Sequence, residues 1–151
     1  MKSYQKIADL RPLVGEVIGT SNWIAIEQSR VNLFADATGD YQWIHVEPER
    51  AKSGPFGGPI AHGFLTLSLL PVFSSTAFHI VESSMGVNYG LDKVRFPAPV
   101  PVGSLVRAHF RLLSWEPLDN DGAQIKIEMT VEREGATKPV CVAESIMRRY
   151  P

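Results

Sequence analysis

An acid and an imidazole stand five positions apart in the stretch Gly39-Asp40-Tyr41-Gln42-Trp43-Ile44-His45. A carboxylate and an imidazole that share one water can take a proton from it and give one back, which is general acid–base chemistry. The Asp40–His45 spacing alone suits structural hydrogen bonding equally well. A second stretch gives it weight: Pro59-Ile60-Ala61-His62-Gly63 leads directly into the most apolar run of the chain. The first amide N–H groups of a helix lack internal acceptors and lie at the positive end of its dipole. A helix beginning at Gly63 therefore offers an N–H to an oxygen that gathers negative charge during a reaction. Glycine there also lets a bound group approach the backbone closely.

Other polar residues carry less. Asp40, His45 and His62 could be drawn as a metal site, but no HxH, HExxH or cysteine pair accompanies them, and no metal is expected. Cys141 is the sole cysteine and lies in the apolar run Val140-Cys141-Val142-Ala143, so it reads as packing. One cysteine excludes an internal disulfide framework and suits a reducing compartment. His79 reads as a helix-end histidine and His109 as an outward strand residue.

The elements that must position these groups fall into two halves. Residues 1 to 20 read as a polar helical turn followed by a boundary at Pro12, Gly15 and Gly19, and Ser21 to Ile26 as a short strand. From Glu27 onward, Val31, Phe34, Ala35 and Thr38 share a helix face that Gly39 ends. Glu47 to Lys52 reads as one helical turn with Pro48 at its start, and residues 53 to 59 as a loop. The helix from about Phe64 to Phe78 is apolar nearly all round and is expected to be enclosed, with a kink at Pro71. The second half alternates instead. Gln124 to Glu132 switches strictly between polar and apolar, as does Val106 to Leu113, which marks strands with one wet face. Further strands are expected from about Ser84 to Phe96 and from Lys138 to Arg149, with turns at Asp119-Asn120-Asp121-Gly122 and Glu134-Gly135-Ala136-Thr137. The expectation is an α+β fold of one domain over residues 1–151: a buried helix followed by four meander-like antiparallel strands, with one short strand ahead of the helix.

Composition agrees. The 151 residues are 44% hydrophobic and 21% charged, and a chain of this length buries nearly 70% of its unfolded surface without a disulfide or metal staple. Fifteen Lys and Arg against 16 Asp and Glu leave no basic block, which argues against nucleic acid as a partner. The N-terminal residues lack an apolar core of the kind that directs secretion. The apolar run from Gly63 to Val81 is interrupted by Ser68, Pro71, Ser74, Ser75, Thr76 and His79, which argues against a membrane span. A cytoplasmic protein is expected.

Three ordered stretches carry a resemblance. Gly39-Asp40-x4-His45-x5-Ala51, Ile60-Ala61-His62-Gly63-Phe64-Leu65 and Val94-Arg95-Phe96-Pro97-Ala98-Pro99-Val100-Pro101-Val102-Gly103 resemble the MaoC-like dehydratase and (R)-specific enoyl-CoA hydratase family. Gly39 to His45 is closer still to its NodN-like branch. The resemblance implies a hot-dog fold, a five-stranded antiparallel sheet wrapped around a long central helix, and a homodimer formed through the sheet edge. It implies that Asp40 and His45 are the catalytic dyad and that the Gly63 N–H meets the thioester oxygen. It implies reversible addition of water to a trans-2-enoyl thioester, carried by coenzyme A or acyl carrier protein, to give the (R)-3-hydroxyacyl thioester. No cofactor is implied beyond the coenzyme A of the substrate.

Around the dyad the sequence departs from the more familiar Gly-Asp-x-Asn-Pro-x-His: Gln42 replaces the Asn and Trp43 the Pro. Gln42, Trp43, His62 and Phe64 are the candidate substrate-binding residues. Trp43 suits the core or a dimer interface as well as an acyl pocket, and His62 suits a structural hydrogen bond. Lys93, Arg95, Arg107 and Arg111 either meet the coenzyme A phosphates or form the solvated face of strands. A hot-dog thioesterase and a non-catalytic acyl-thioester binding subunit are the alternative functions, since fold does not fix function.

Overall fold

The computed structural model describes residues 1–151. In chain order it runs through β1 (Lys2–Tyr4), a 3₁₀ helix (Ile7–Leu13), β2 (Val17–Thr20), β3 (Ile24–Ala25), α1 (Gln28–Thr38), α2 (Trp43–Val46) and α3 (Pro48–Lys52). There follow α4 (Gly63–Ser68), α5 (Leu70–Ala77), β4 (Phe78–Ile80), β5 (Met85–Arg95), β6 (Leu105–Pro117), β7 (Ala123–Arg133) and β8 (Cys141–Tyr150). Local chemistry places the ends as expected. Gly39 closes α1 with φ +79°, and Pro48 opens α3. Asn120 and Asp121 both take positive φ, at 59° and 56°, in the turn between β6 and β7, the twist a tight hairpin turn needs.

The main sheet has the order β2-β6-β7-β8-β5, with β3 also paired to β6. The order corrects the expected meander. β6, β7 and β8 are successive antiparallel neighbours, but β5 pairs with β8, Met85 opposite Tyr150 and Arg95 opposite Val142. The physical reason lies in Pro97 to Gly103. Three prolines in seven residues cannot make a tight hairpin ladder, so the chain crosses from one side of the sheet to the other before β6 begins. The N-terminal boundary is also more ordered than expected, because β1 pairs in parallel with β4, Lys2 opposite Phe78.

The long central helix is broken. Leu69 separates α4 from α5, two residues ahead of Pro71, whose ring lacks an N–H and crowds the preceding turn. Nor is the helix enclosed all round. Leu65, Leu69, Leu70, Phe73 and Ala77 are buried, whereas Phe64 is 68% exposed and Val72 40%. The buried stripe packs on Val106, Ala108, Phe110 and Leu112 of β6, Ile125, Ile127, Met129 and Val131 of β7, and Cys141 and Ala143 of β8. These inward residues are the apolar phase of each alternation, and each large one contributes about 1.5–3 kcal/mol of burial. Burial pushes the Cys141 thiol up to about 11, so it stays protonated at neutral pH and packs as a small apolar residue. No helix is long and apolar enough to cross a membrane.

One close approach fixes helix against sheet. A Cβ at Gly19 in β2 would lie 2.6 Å from the Ala77 carbonyl oxygen and 2.8 Å from its carbon, and backbone cannot swing aside as a side chain can. Gly19→Ala is expected to destabilise the fold by about 1–3 kcal/mol in denaturant unfolding. Gly58→Ala, at a position with nothing within 4 Å, should stay within about 0.5 kcal/mol of the parent.

Candidate active site

The two chemistry-bearing stretches meet at the N-terminal end of α4. His45 sits in α2, a single turn that leaves Asp40 ahead of it on the link from α1. The Gln28 side chain ties α1 to this turn by donating to the His45 carbonyl at 2.8 Å. Across from it, the Pro97–Gly103 crossover holds the approach to α4. The Ala61 N–H donates to the Val100 carbonyl at 2.8 Å, and the Val102 N–H to the Pro59 carbonyl at 2.9 Å. The resulting cleft, about 300 Å³, is lined by His45, Ile60, Gly63, Thr66, Phe96 and Val140 among others. A larger cleft of about 540 Å³ opens at the opposite end of the sheet, beside Ile7, Trp115 and Pro151. It is lined by no histidine, serine or cysteine, so the smaller one is the candidate site.

Beside it, one nitrogen each of His45 and His62 and one carboxylate oxygen of Asp40 lie within 4.8 Å of one another; of the three only His45 is among the cleft-lining residues. The separation suits a single bridging water, and these three residues are also the set that could hold a metal ion. The histidines differ in their partners. His45 Nδ1 is 2.6 Å from the Ile60 carbonyl. A carbonyl only accepts, so Nδ1 carries the hydrogen and Nε2 of the neutral ring keeps a free lone pair. Burial pushes the His45 imidazole below its ordinary value of 6.5; the Ile60 bond opposes this, His62 adds to it and Asp40 opposes it. His45 is therefore neutral at pH 7.

His62 is 2% exposed and stacks on His45 with ring centroids 3.9 Å apart. Its Nε2 donates to the Asp40 main-chain carbonyl at 3.0 Å, and its buried Nδ1 has no partner. His62 thus links both members of the pair, touching the ring of one and the backbone of the other. The Asp40 carboxylate accepts from the Gln42 N–H at 3.2 Å and is exposed. The Gly63 N–H makes no backbone hydrogen bond. A Cβ at Gly63 would lie 3.0 Å from the Phe96 ring, so glycine keeps the cleft floor open.

Asp40, His45, His62 and Gly63 are brought together. Gln42, Trp43 and Phe64 are not among the cleft-lining residues. The Gln42 side chain is exposed, the Trp43 ring lies under the Arg50 guanidinium at 4.5 Å and against Gly54, and Phe64 points outward with an edge contact to Phe96. Of the four cationic candidates, Arg107 is bound to Glu132 at 2.9 Å and covers Trp23, and Arg95 donates to its own neighbour's carbonyl. Lys93 and Arg111 are exposed. Sequence reasoning missed Ile60, whose part is played by a main-chain carbonyl and so leaves no mark in residue type. It also passed over Phe96, Thr66 and Val140 as cleft walls.

Comparison with known proteins identifies the family. Residues 9–137 match the MaoC-like domain family. The chain is 55% identical over 148 residues to 3-hydroxyacyl-thioester dehydratase Z of Mycobacterium tuberculosis, covering 98% of each chain. It is 46% identical over 142 residues to nodulation protein N of Rhizobium leguminosarum bv. viciae, covering 93% of this chain and 88% of that one. In fold it is similar to the (R)-hydratase of A. caviae, with TM-score 0.72 and 22% identity over 90% of this chain and 97% of that one. With its hot-dog architecture and these relatives, the chain belongs to the MaoC-like dehydratase family, in its NodN-like branch, and is a hydratase/dehydratase enzyme.

Proposed function

We propose that the protein adds water reversibly to trans-2-enoyl thioesters, giving (R)-3-hydroxyacyl thioesters. The observation that carries this is the water-sized gap between the Asp40 carboxylate and His45 beside the unbonded N–H of Gly63. Both the carboxylate and the free Nε2 accept hydrogen bonds. A water between them donates its two hydrogens to them and keeps a lone pair for C3 of the substrate. As the O–C3 bond forms, one proton passes to the pair and electron density moves onto the thioester oxygen, where the Gly63 N–H stabilises it. The same pair then protonates C2, so the elements of one water are added and none is left over. Run backwards, the steps dehydrate the 3-hydroxyacyl thioester. His62 acts here as a positioning residue, since its ring is buried behind His45. The relative named a 3-hydroxyacyl-thioester dehydratase supports the substrate class. The carrier is coenzyme A or acyl carrier protein.

The edge strand supports a homodimer. β5 pairs on one side only, with β8, and leaves Met85, Val87, Tyr89 and Leu91 exposed. A long apolar edge invites another strand, and a second copy's β5 is an antiparallel partner of equal length.

Three outcomes are expected. Asp40→Asn and His45→Ala should each leave the circular dichroism spectrum intact and lower the hydration of crotonyl-CoA, followed by loss of enoyl-thioester absorbance, by roughly 10²- to 10⁴-fold; full activity in both variants overturns the proposal, and chiral analysis of the product tests the (R) assignment. The depressed His45 keeps its free lone pair until the pH falls below the ordinary imidazole value. The acid limb of kcat/KM is therefore expected to have its midpoint below 6.5, and a limb above it contradicts the neutral-His45 arrangement. Light scattering at low micromolar concentration should give twice the chain mass, and Leu91→Lys should shift it towards the monomer.

A further inference from the structure

The turn that carries His45 is too short to hold itself. α2 is a single turn of four residues, Trp43–Val46, and one isolated turn is unfavourable because several backbone dihedrals are fixed for each hydrogen bond gained. Its orientation therefore comes from its neighbours. Two ties end on its main-chain carbonyls: Ile44 accepts from the Ile60 N–H at 3.0 Å, and His45 accepts from the Gln28 side-chain amide at 2.8 Å. Neither holds the residue that opens the turn. Trp43 is held by its ring instead. At about 100° per residue, side chains two positions apart leave a helical turn on opposite sides. The Trp43 ring thus points away from the direction in which His45 reaches Ile60 and His62.

The ring rests on the end of α3. A Cβ at Gly54 would lie 2.9 Å from both Cη2 and Cζ3 of the indole, so the ring lies directly on main chain and a side chain there would displace it. That piece of main chain is itself fixed, because the Gly54 N–H donates to the carbonyl of buried Ala51 at 3.0 Å. The Arg50 guanidinium covers the ring at 4.5 Å from its centroid and pairs with Glu47 at 3.5 Å. Trp43 also adjoins the bond that holds the other member of the reacting pair. The Asp40 carboxylate accepts from the N–H of Gln42, the residue immediately before Trp43, at 3.2 Å. Rolling the turn about its axis would therefore move the His45 ring and the donor that holds Asp40 together. The Trp43 ring itself lines no part of the cleft.

We propose that Trp43 is a positioning residue for the Asp40–His45 pair: its ring, seated on Gly54 under Arg50, sets the roll of the α2 turn and with it the gap between carboxylate and imidazole. The ring acts from behind the pair and touches no substrate. The inference rests on the reading of Asp40 and His45 as the reacting groups. Proline supplies the contrast that tests it. The Trp43 N–H makes no backbone hydrogen bond, Gln42 has a ψ of 136°, which suits a residue ahead of proline, and the first helical position accepts the fixed φ of proline. Trp43→Pro therefore stiffens the turn without supplying a ring. Gly54→Ala does the converse. Gly54 does not take positive φ, so the added methyl leaves the backbone angle acceptable and pushes the ring off its seat.

The test has a kinetic arm and an exchange arm. Hydration of crotonyl-CoA is measured on the parent, Trp43→Ala, Trp43→Pro and Gly54→Ala, with circular dichroism to verify the fold. Trp23→Ala is the control, since that ring also lies under an arginine, Arg107 at 4.4 Å, yet lines no part of the cleft. Trp43→Ala should lower kcat about 10- to 100-fold with KM within about twofold, the cost of misplacing reacting groups by an ångström or so. Gly54→Ala should lower kcat in the same sense by about 3- to 10-fold, and it decides the matter should Trp43→Ala not fold. Trp43→Pro should return to within about threefold of the parent, and Trp23→Ala should match it. A raised KM at unchanged kcat in Trp43→Ala, with no recovery in Trp43→Pro, makes the ring a substrate contact and overturns the inference; parental kcat in both Trp43→Ala and Gly54→Ala overturns it too. The exchange arm needs no turnover. The Ile60 amide, which donates to Ile44 of the turn, should exchange its hydrogen about 10-fold faster in Trp43→Ala and Gly54→Ala and at the parental rate in Trp43→Pro and Trp23→Ala. Unchanged exchange in the first two overturns the inference. A parent that hydrates nothing refutes the hydration reading and leaves the role of the ring in setting the turn decided by exchange.

Discussion

The hydrogen bond from His45 Nδ1 to the Ile60 carbonyl joins two segments that chain order separates, and the site depends on it. It commits the ring to one tautomer, leaves Nε2 with its free lone pair, and does so with a main-chain acceptor that has no rotamer freedom. Because Ile60 and Ala61 are paired in turn to the Pro97–Gly103 crossover, the bond also ties the short helices after α1 to the sheet. A site built this way is held by the fold's backbone rather than by a shell of polar side chains.

The proline-rich crossover serves both architecture and chemistry. It carries the chain from the β5 edge to the far side of the sheet, and its carbonyls and N–H groups pair with the segment that enters α4. Phe96 at its start covers Gly63, and Val100 in its middle is buried against the cleft floor. The break at Leu69 has a compatible effect: α4 and α5 present Leu65, Leu69, Leu70, Phe73 and Ala77 to a strongly twisted sheet that one straight rod would follow less closely.

Much of this was legible in residue order, and what was not has a common cause. Alternation in Val106 to Leu113 and Gln124 to Glu132, glycine after α1 and proline ahead of α3 are local signals, and they placed strands and helix ends within a residue or a few. Asp40, His45 and Gly63 could be singled out as candidates because their stretches retain family spacing. The partner of β5 could not, because pairing with β8 is a choice among distant edges that alternation does not rank. Trp43 could not be placed because its neighbours, Arg50 and Gly54, lie in a turn whose packing depends on three short elements at once.

The pairing of β5 with β8 also governs when the site can exist. Asp40, His45 and Gly63 emerge early in synthesis, whereas Val140 and the strand that flanks β5 come near the end. The contacts that hold the helices over the sheet span much of the chain, and such non-local closure is slow compared with a hairpin. β6, β7 and β8 can zip as a local ladder, but the cleft closes only when β8 captures a strand made 47 to 65 residues earlier, Arg95 opposite Val142 and Met85 opposite Tyr150. A nascent chain therefore carries the candidate site residues for a long interval without the wall that closes the cleft beside them, and that wall arrives late.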